Sequence, residues 1–207
     1  MAGDLDPDAV LMLRVKRGDR AAFEVLVEKY QQPVANLMGR MLGDPIEAED
    51  LTQGVFIQVF RSAHRYRDSA RFSTWLYTIA RNLCLNELRR RSRHPAESLD
   101  ATHPNDASQP LHPVADAREL SPPDRLLQRE LEQKIQEALD ALPPNQRLAV
   151  LLCRQEDVSY EEIAHILDCS LSATKSLIHR GRETLKQRLK PYLQTGQWAG
   201  PDGGEKL

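Results

Sequence analysis

Between residues 93 and 121 the chain reads RHPAESLDATHPNDASQPLHPVADARELS, without the periodicity of a helix or a strand. Pro95, Pro104, Pro110 and Pro113 fall within it, and Pro122 and Pro123 follow. Each proline fixes φ and removes a backbone donor, so the run interrupts regular structure and reads as a flexible linker. As a coil, its 29 residues would hold their ends roughly 30 Å apart, and as extended polyproline about 90 Å apart. The chain is thereby constrained to two modest modules that can occupy distant sites. Expected bounds are 1–92 for the first module, 93–121 for the linker, 122–192 for the second module and 193–207 for a tail. The tail reads as flexible from Pro191 onward, with Trp198 as a potential anchor to the body or to a partner.

Both modules read as helical. With 5 % aromatic and 28 % charged residues, the 41 % apolar content suits small helical bundles better than aromatic-rich sheets. Asp6 followed by Pro7 is a helix start, a capping carboxylate with proline at the first helical position. Gly18 and Asp19 separate this helix from a second that runs to about Leu42. GDPIEAED restarts the chain in the same manner, with Asp44 as cap and Glu47 placed as in a capping box, and the helix continues to about Ala63. A fourth helix starts near Ser73, where Trp75, Ile79, Leu83 and Leu88 lie near helical spacing. Beyond the linker, helices are expected at about 124–141 and 145–154, split by Pro143 and Pro144. The expected fold class is all-α, with two small helical domains and an acidic, Pro-rich connection.

The formal net charge of −2 conceals a strong segregation. Residues 61–93 carry nine arginines against two acids, residues 94–124 one arginine against six acids, and residues 171–190 six Lys or Arg against one acid. Two basic blocks flank an acidic one, which points to a polyanion such as nucleic acid. The second basic block closes the sequence VSYEEIAHILDCSLSATKSLIHRGRETLKQRLK. Ser159 and Glu162 form a capping box for a short helix with Ile163, Ala164, Ile166 and Leu167 on its apolar side. A turn at Asp168–Ser170 then leads into a longer helix, which is the pattern of a helix-turn-helix. On that last helix Lys175, His179, Arg182 and Lys186 recur at spacings of four, three and four, a basic stripe opposite the leucines. Ser176 and Arg180 adjoin it. The plainer alternative is a solvated basic face on an ordinary helical hairpin.

The first basic block contains RFSTWLYTIARNLCLNELRRRSR, residues 71–93, where Phe72, Trp75 and Tyr77 stand among six arginines. Arginines neutralise phosphates, and aromatic rings, including Tyr66 just upstream, can stack on unpaired bases at ~1–3 kcal/mol each. That is comparable with the few kcal/mol needed to flip a base from a duplex. Composition alone is equally consistent with Trp75 as core. The preceding helix, IEAEDLTQGVFIQVF, is acidic at its start and apolar along one side, which fits a protein-docking surface or an acidic first turn that complements the helix dipole. Its carboxylates have no interleaved histidine and match no metal or nuclease spacing, so no metal, cofactor or catalytic constellation is expected. Cys84, Cys153 and Cys169 form no C-x-x-C pair and suggest neither disulfides nor zinc. Apolar runs such as LAVLLC are far too short to span a bilayer, and MAGDLDPDAV carries acids where a signal peptide has bases, so a cytoplasmic location is expected.

Taken in order, RGDRAAFEVLVEKY, EAEDLTQGVFIQVF, FSTWLYTIARNLCLNELRR and SYEEIAHILDCSLSATKSLIHRGRETLK resemble the extracytoplasmic-function sigma factors of the sigma-70 family, over about residues 8–192. The resemblance implies a transcription initiation factor rather than an enzyme, with core RNA polymerase and promoter DNA as partners and no small-molecule substrate. It implies that the first module docks on polymerase through Glu49, Asp50, Gln53 and Phe56. It also implies that this module recognises and melts the minus-ten element with Arg71, Phe72, Trp75, Arg81, Asn82, Arg89 and Arg90, the loop before Trp75 cradling a flipped base. The second module would read the minus-thirty-five element with Ser172, Lys175, Ser176, His179, Arg180 and Arg182. An anti-sigma protein, in such systems frequently membrane-bound, is a further implied partner. Relatives often carry arginine where this chain has Leu177 and alanine where it has Gly181. The alternative reading is a stand-alone helix-turn-helix regulator of duplex DNA.

Overall fold

The computed structural model describes residues 6–93, 121–155 and 158–195, so nearly all of the expected linker and Trp198 lie outside the described residues. All regular structure among the described residues is helical: α1 (Pro7–Lys16), α2 (Arg20–Leu42), α3 (Pro45–Ser62), a 3₁₀ turn (Ala63–Arg65), α4 (Phe72–Arg93), α5 (Pro122–Asp140), α6 (Pro144–Leu152), α7 (Tyr160–Leu167) and α8 (Leu171–Thr195). None of these helices is long and apolar enough to cross a membrane.

The starts of the helices follow from their caps. Asp6 Oδ1 accepts from Asp8 N at 3.2 Å, Asp19 Oδ1 from Ala22 N at 3.1 Å, and Asp44 Oδ1 from Ile46 N and Glu47 N at 2.8 and 3.1 Å. Each satisfies donors that the first turn cannot pair internally. The Ser159–Glu162 capping box forms as expected, Glu162 Oε2 accepting from Ser159 N at 2.7 Å. The one expected at α3 does not, because Glu47 turns to the Arg91 guanidinium instead. Regular structure also runs past the expected boundary at 192. Helix α8 continues through Pro191 to Thr195, and Tyr192 is buried.

In the first half, Leu26, Val34, Leu37 and Met38 of α2 pack with Val55 and Val59 of α3 and with Phe72, Leu76, Ala80 and Cys84 of α4. In the second half, Leu148 and Leu152 of α6 meet Ile163 and Ile166 of α7 and Ile178 of α8. The three cysteines are free; burial pushes the Cys84 thiol up to about 12.

The two halves are not held apart but share one continuous core. Helix α7 lies against α4, and α5 and α6 reach α2. Across the α4–α7 seam, Thr74 Oγ1 donates to Glu162 Oε1 at 3.2 Å, Arg71 lies 3.7 Å from the same carboxylate, and Tyr77 OH reaches Gln155 Oε1 at 3.3 Å. At the other seam the buried Arg147 donates from Nη1 to Met41 O at 2.7 Å and to Asp140 Oδ1 at 2.8 Å, and from Nη2 to Asp140 O at 2.8 Å. Desolvation lowers the pKa of this guanidinium and Asp140 opposes the shift. Replacing Arg147 by Met keeps the apolar stem and removes all three bonds. The expected loss is at least about 1.5–3 kcal/mol, the worth of one hydrogen bond to a charged group, read as a lower urea midpoint.

Candidate nucleic-acid interface

Helix α8 is positioned by the turn before it. Asp168 takes the left-handed conformation at φ 54°, which ends α7, and Cys169 N donates back to Ala164 O at 3.0 Å. Ser170 Oγ then accepts from Ala173 N at 3.2 Å and starts α8. Thr174 and Ile178 point into the core, and at helical spacing this turns the opposite side outward. Ser172, Lys175, His179, Arg180, Arg182 and Lys186 are exposed, and Ser176 is half-buried. Arg182 leans away from the row, its Nη2 lying 3.1 Å from Cys153 Sγ. Leu177 is partly buried against the core.

Gly181 is the point of closest approach. A Cβ there would lie 2.6 Å from Val150 Cγ2 and 3.3 Å from Gln146 O. Glycine therefore permits α8 to sit directly on α6, which sets the angle at which the basic row is presented. In the sequence Gly181 stands out only as a departure from the alanine usual in relatives, and this packing role is not visible there.

Helix α4 carries its charges differently along its length. Asn82, Arg89 and Arg90 are exposed and Arg81 is half-buried. A shallow hollow of about 320 Å³ is lined by Asn86, Arg89, Arg90 and Arg93. Arg91 turns inward, donating to Leu42 O at 2.9 Å, and its pKa is lowered chiefly by burial. The aromatic platform expected from the sequence is largely core. Phe72 is 0 %, Tyr66 1 % and Tyr77 3 % exposed, which leaves none of them a face for a base in this arrangement. The rings of Tyr66 and Trp75 meet at 5.1 Å, those of Tyr30 and Phe72 at 5.3 Å, in edge-on contacts typical of packed aromatics. Only Trp75 of this group remains half-buried. Burial pushes the Tyr66 phenol up to about 12.

A third surface lies on α2 and α3. A groove of about 640 Å³ is lined by Phe23, Val27, Gln53, Phe56, Ile57 and Phe60, among others. Glu49, Asp50 and Gln53 are exposed on α3, but Phe56 is buried and forms part of the groove lining instead of projecting outward. The apolar projections are Ile57 and Phe60, about half exposed, and the rings of Phe60 and Phe23 meet at a tilt with centroids 5.1 Å apart. The sequence signal for them was an apolar i, i+3 pair left on the outer side of α3. Among the described residues, no group of three or more His, Cys, Asp or Glu side chains is placed to hold a metal.

Comparison with known proteins places these surfaces in context. Residues 26–94 match the family Sigma-70 region 2, and residues 132–185 match Sigma-70, region 4. The RNA polymerase sigma-H factor of Pseudomonas aeruginosa is 35 % identical over 189 residues, covering 91 % of this chain and 97 % of the relative. The ECF RNA polymerase sigma-E factor of Escherichia coli K12 is also 35 % identical, covering 90 % and 96 %. Among solved structures, CnrH in complex with the cytosolic domain of CnrY aligns with a TM-score of 0.63 at 19 % identity, over 91 % of this chain and 99 % of that one. The sigma factor RpoE of Bartonella quintana, in complex with the anti-sigma factor NepR, aligns at 0.62 and 24 % identity, over 81 % and 96 %. These last two share the fold.

The Gly181 geometry gives a direct test. Alanine restores about 1 kcal/mol of helix propensity, but its methyl meets a stiff β-branched neighbour, and overpacking of this kind typically costs ~1–3 kcal/mol. Gly181→Ala is expected to lower the urea midpoint, and Val150→Ala in the same chain to recover part of the loss.

Proposed function

The chain belongs to the sigma-70 family, among its extracytoplasmic-function members, and on that premise we propose how its surfaces divide the work of directing core RNA polymerase to promoters. Residues 1–92 form the module for polymerase docking and the minus-ten element, and residues from 122 through α8 form the module for the minus-thirty-five element. The groove on α2 and α3, with Glu49, Asp50 and Gln53 beside or before it, receives core polymerase. Helix α8 enters the major groove upstream and reads it with Ser172, Lys175, Ser176, His179 and Arg180. The loop of residues 66–71, Trp75, Asn82 and the Arg81, Arg89 and Arg90 side chains of α4 hold the opened minus-ten region. Phe72 and Arg182 act from behind, the one as core support and the other through its contact with Cys153. The chain supplies recognition, and nucleotide chemistry belongs to the polymerase. The sigma factor RpoE was solved with an anti-sigma factor, and a protein of that class is the proposed regulator here.

One observation carries this reading. An exposed recognition row on α8 and an apolar groove on α2 and α3 stand on separate surfaces of one chain. A stand-alone duplex-binding regulator needs the first and has no use for the second. The test is reconstitution with core RNA polymerase on a promoter-bearing template. Asp50→Arg is expected to lower specific initiation at least tenfold while duplex binding persists; duplex binding by the unaltered chain without polymerase association would overturn the reading. Lys175→Ala and Arg180→Ala are each expected to weaken binding to the upstream element by about 1–3 kcal/mol, the worth of a base contact, and to relax its sequence preference, with core binding intact.

The closed packing of the two halves then has to open on a promoter. Elements about 25 base pairs apart lie roughly 85 Å apart along B-DNA, whereas a compact chain of this length is only about 45 Å across. Dyes placed at the exposed Gln58 and Gln187 should show efficient energy transfer in the free chain and lose it on the polymerase–promoter complex.

A further inference from the structure

Helix α1 lies wholly before residue 26, where the match to Sigma-70 region 2 begins, and carries none of the residues assigned above to polymerase or DNA. Yet it spans the loop of residues 66–71 from end to end. At one end Lys16 Nζ, on the last residue of α1, donates to Tyr66 O at 2.9 Å. At the other, Phe72 N donates to Asp6 Oδ2 at 3.0 Å, while Asp6 Oδ1 accepts from Asp8 N at 3.2 Å. One carboxylate therefore caps α1 with one oxygen and the first turn of α4 with the other. Phe72 N is a donor that α4 cannot satisfy internally, and it sits at the positive end of the helix dipole, where a carboxylate is favoured.

The loop between these anchors is exposed at Arg67, Asp68 and Ser69, and its two ends are the buried Tyr66 and Phe72. Tyr66 OH also donates to Ala70 O at 3.4 Å, inside the loop. A short segment fixed at both ends has little conformational freedom left to lose when it binds. Extruding a base from a duplex is itself costly, so a loop held in one geometry before contact captures that base more effectively than a loose one.

We infer that α1 is a brace for promoter opening, with Asp6 and Lys16 as positioning residues that hold the 66–71 loop ready for an unpaired base. The inference rests on the proposed role of that loop, and the two can fail separately. The chemistry of Asp6 supplies a discriminating variant. Asparagine caps a helix as well as aspartate does, but it offers a single carbonyl oxygen to two N–H donors. Lys16→Met removes the donor to Tyr66 O and keeps the stem, whereas Lys16→Arg retains a donor.

The experiment uses the full chain in holoenzyme, on one promoter, at matched occupancy, with permanganate reactivity of unpaired thymines as the probe of opening. Asp6→Asn and Lys16→Met are each expected to slow opening roughly tenfold, the factor for losing one charge-assisted hydrogen bond. Affinity for core polymerase and for the upstream duplex element should be unchanged, and Lys16→Arg should open nearly as the wild type. A triple glycine substitution of Arg67, Asp68 and Ser69 serves as the control for the loop itself. If that control opens normally, the base-capturing role of the loop fails. If it is impaired while both α1 variants open at the wild-type rate, or if their opening falls only in step with core affinity, the brace is overturned.

Discussion

The last turn of α2 leaves the carbonyls of Gly39, Arg40, Met41 and Leu42 without partners further along the helix, and their satisfaction organises the molecule. Gly43, in the left-handed conformation at φ 71°, returns its N–H to Gly39 O. The other three are taken by side chains from elsewhere: Gln136 of α5 on Arg40, Arg147 of α6 on Met41, and Arg91 of α4 on Leu42. Two of these are cations at the negative end of a long helix dipole, the favourable sign. The end of a single helix is thus the place where α4, α5 and α6 are fixed relative to one another. An extended chain could leave those carbonyls to water, but the closed one gives them protein donors.

Much of the first-order plan is readable in the sequence because it depends on contacts within four residues. Asp6, Asp19, Asp44 and Ser159 cap the helices they precede, and the turn at Asp168–Ser170 joins α7 to α8 as the spacing of its residues suggests. What the sequence conceals depends on partners far along the chain. Glu47 has the spacing of a capping-box member, yet Arg91 offers it a charged partner, and the stronger interaction wins. Gly181 reads as a weak point in a helix until Val150 is brought beside it. The closed packing of the two halves has no local signature at all, since a proline-rich connection is compatible with any separation up to its contour length.

The candidate site shows the same division. The row on α8 is legible because burial of Thr174 and Ile178 fixes its orientation through helical geometry alone. The aromatics of the first basic block are not, because Phe72, Tyr66 and Trp75 have the same composition whether they stack on a base or on each other. Their contact with Tyr30 decides the matter for Phe72, and the exposed charges around them mark the surface they support. That an N-terminal helix should hold both ends of the 66–71 loop could not be read from sequence, since its contacts run over 50 and 66 residues of chain.

Because one chain carries both halves, each meets the other at an effective concentration set by the length of chain between them, on the order of millimolar. An interface with an intrinsic dissociation constant of about 0.1 mM would then keep roughly ten chains closed for every open one. Such an interface would be invisible between separate proteins at ordinary dilution. The closed fraction is therefore independent of how much of the protein is present, and it shifts only when something binds the faces at Thr74, Tyr77 or the end of α2 better than the second half does.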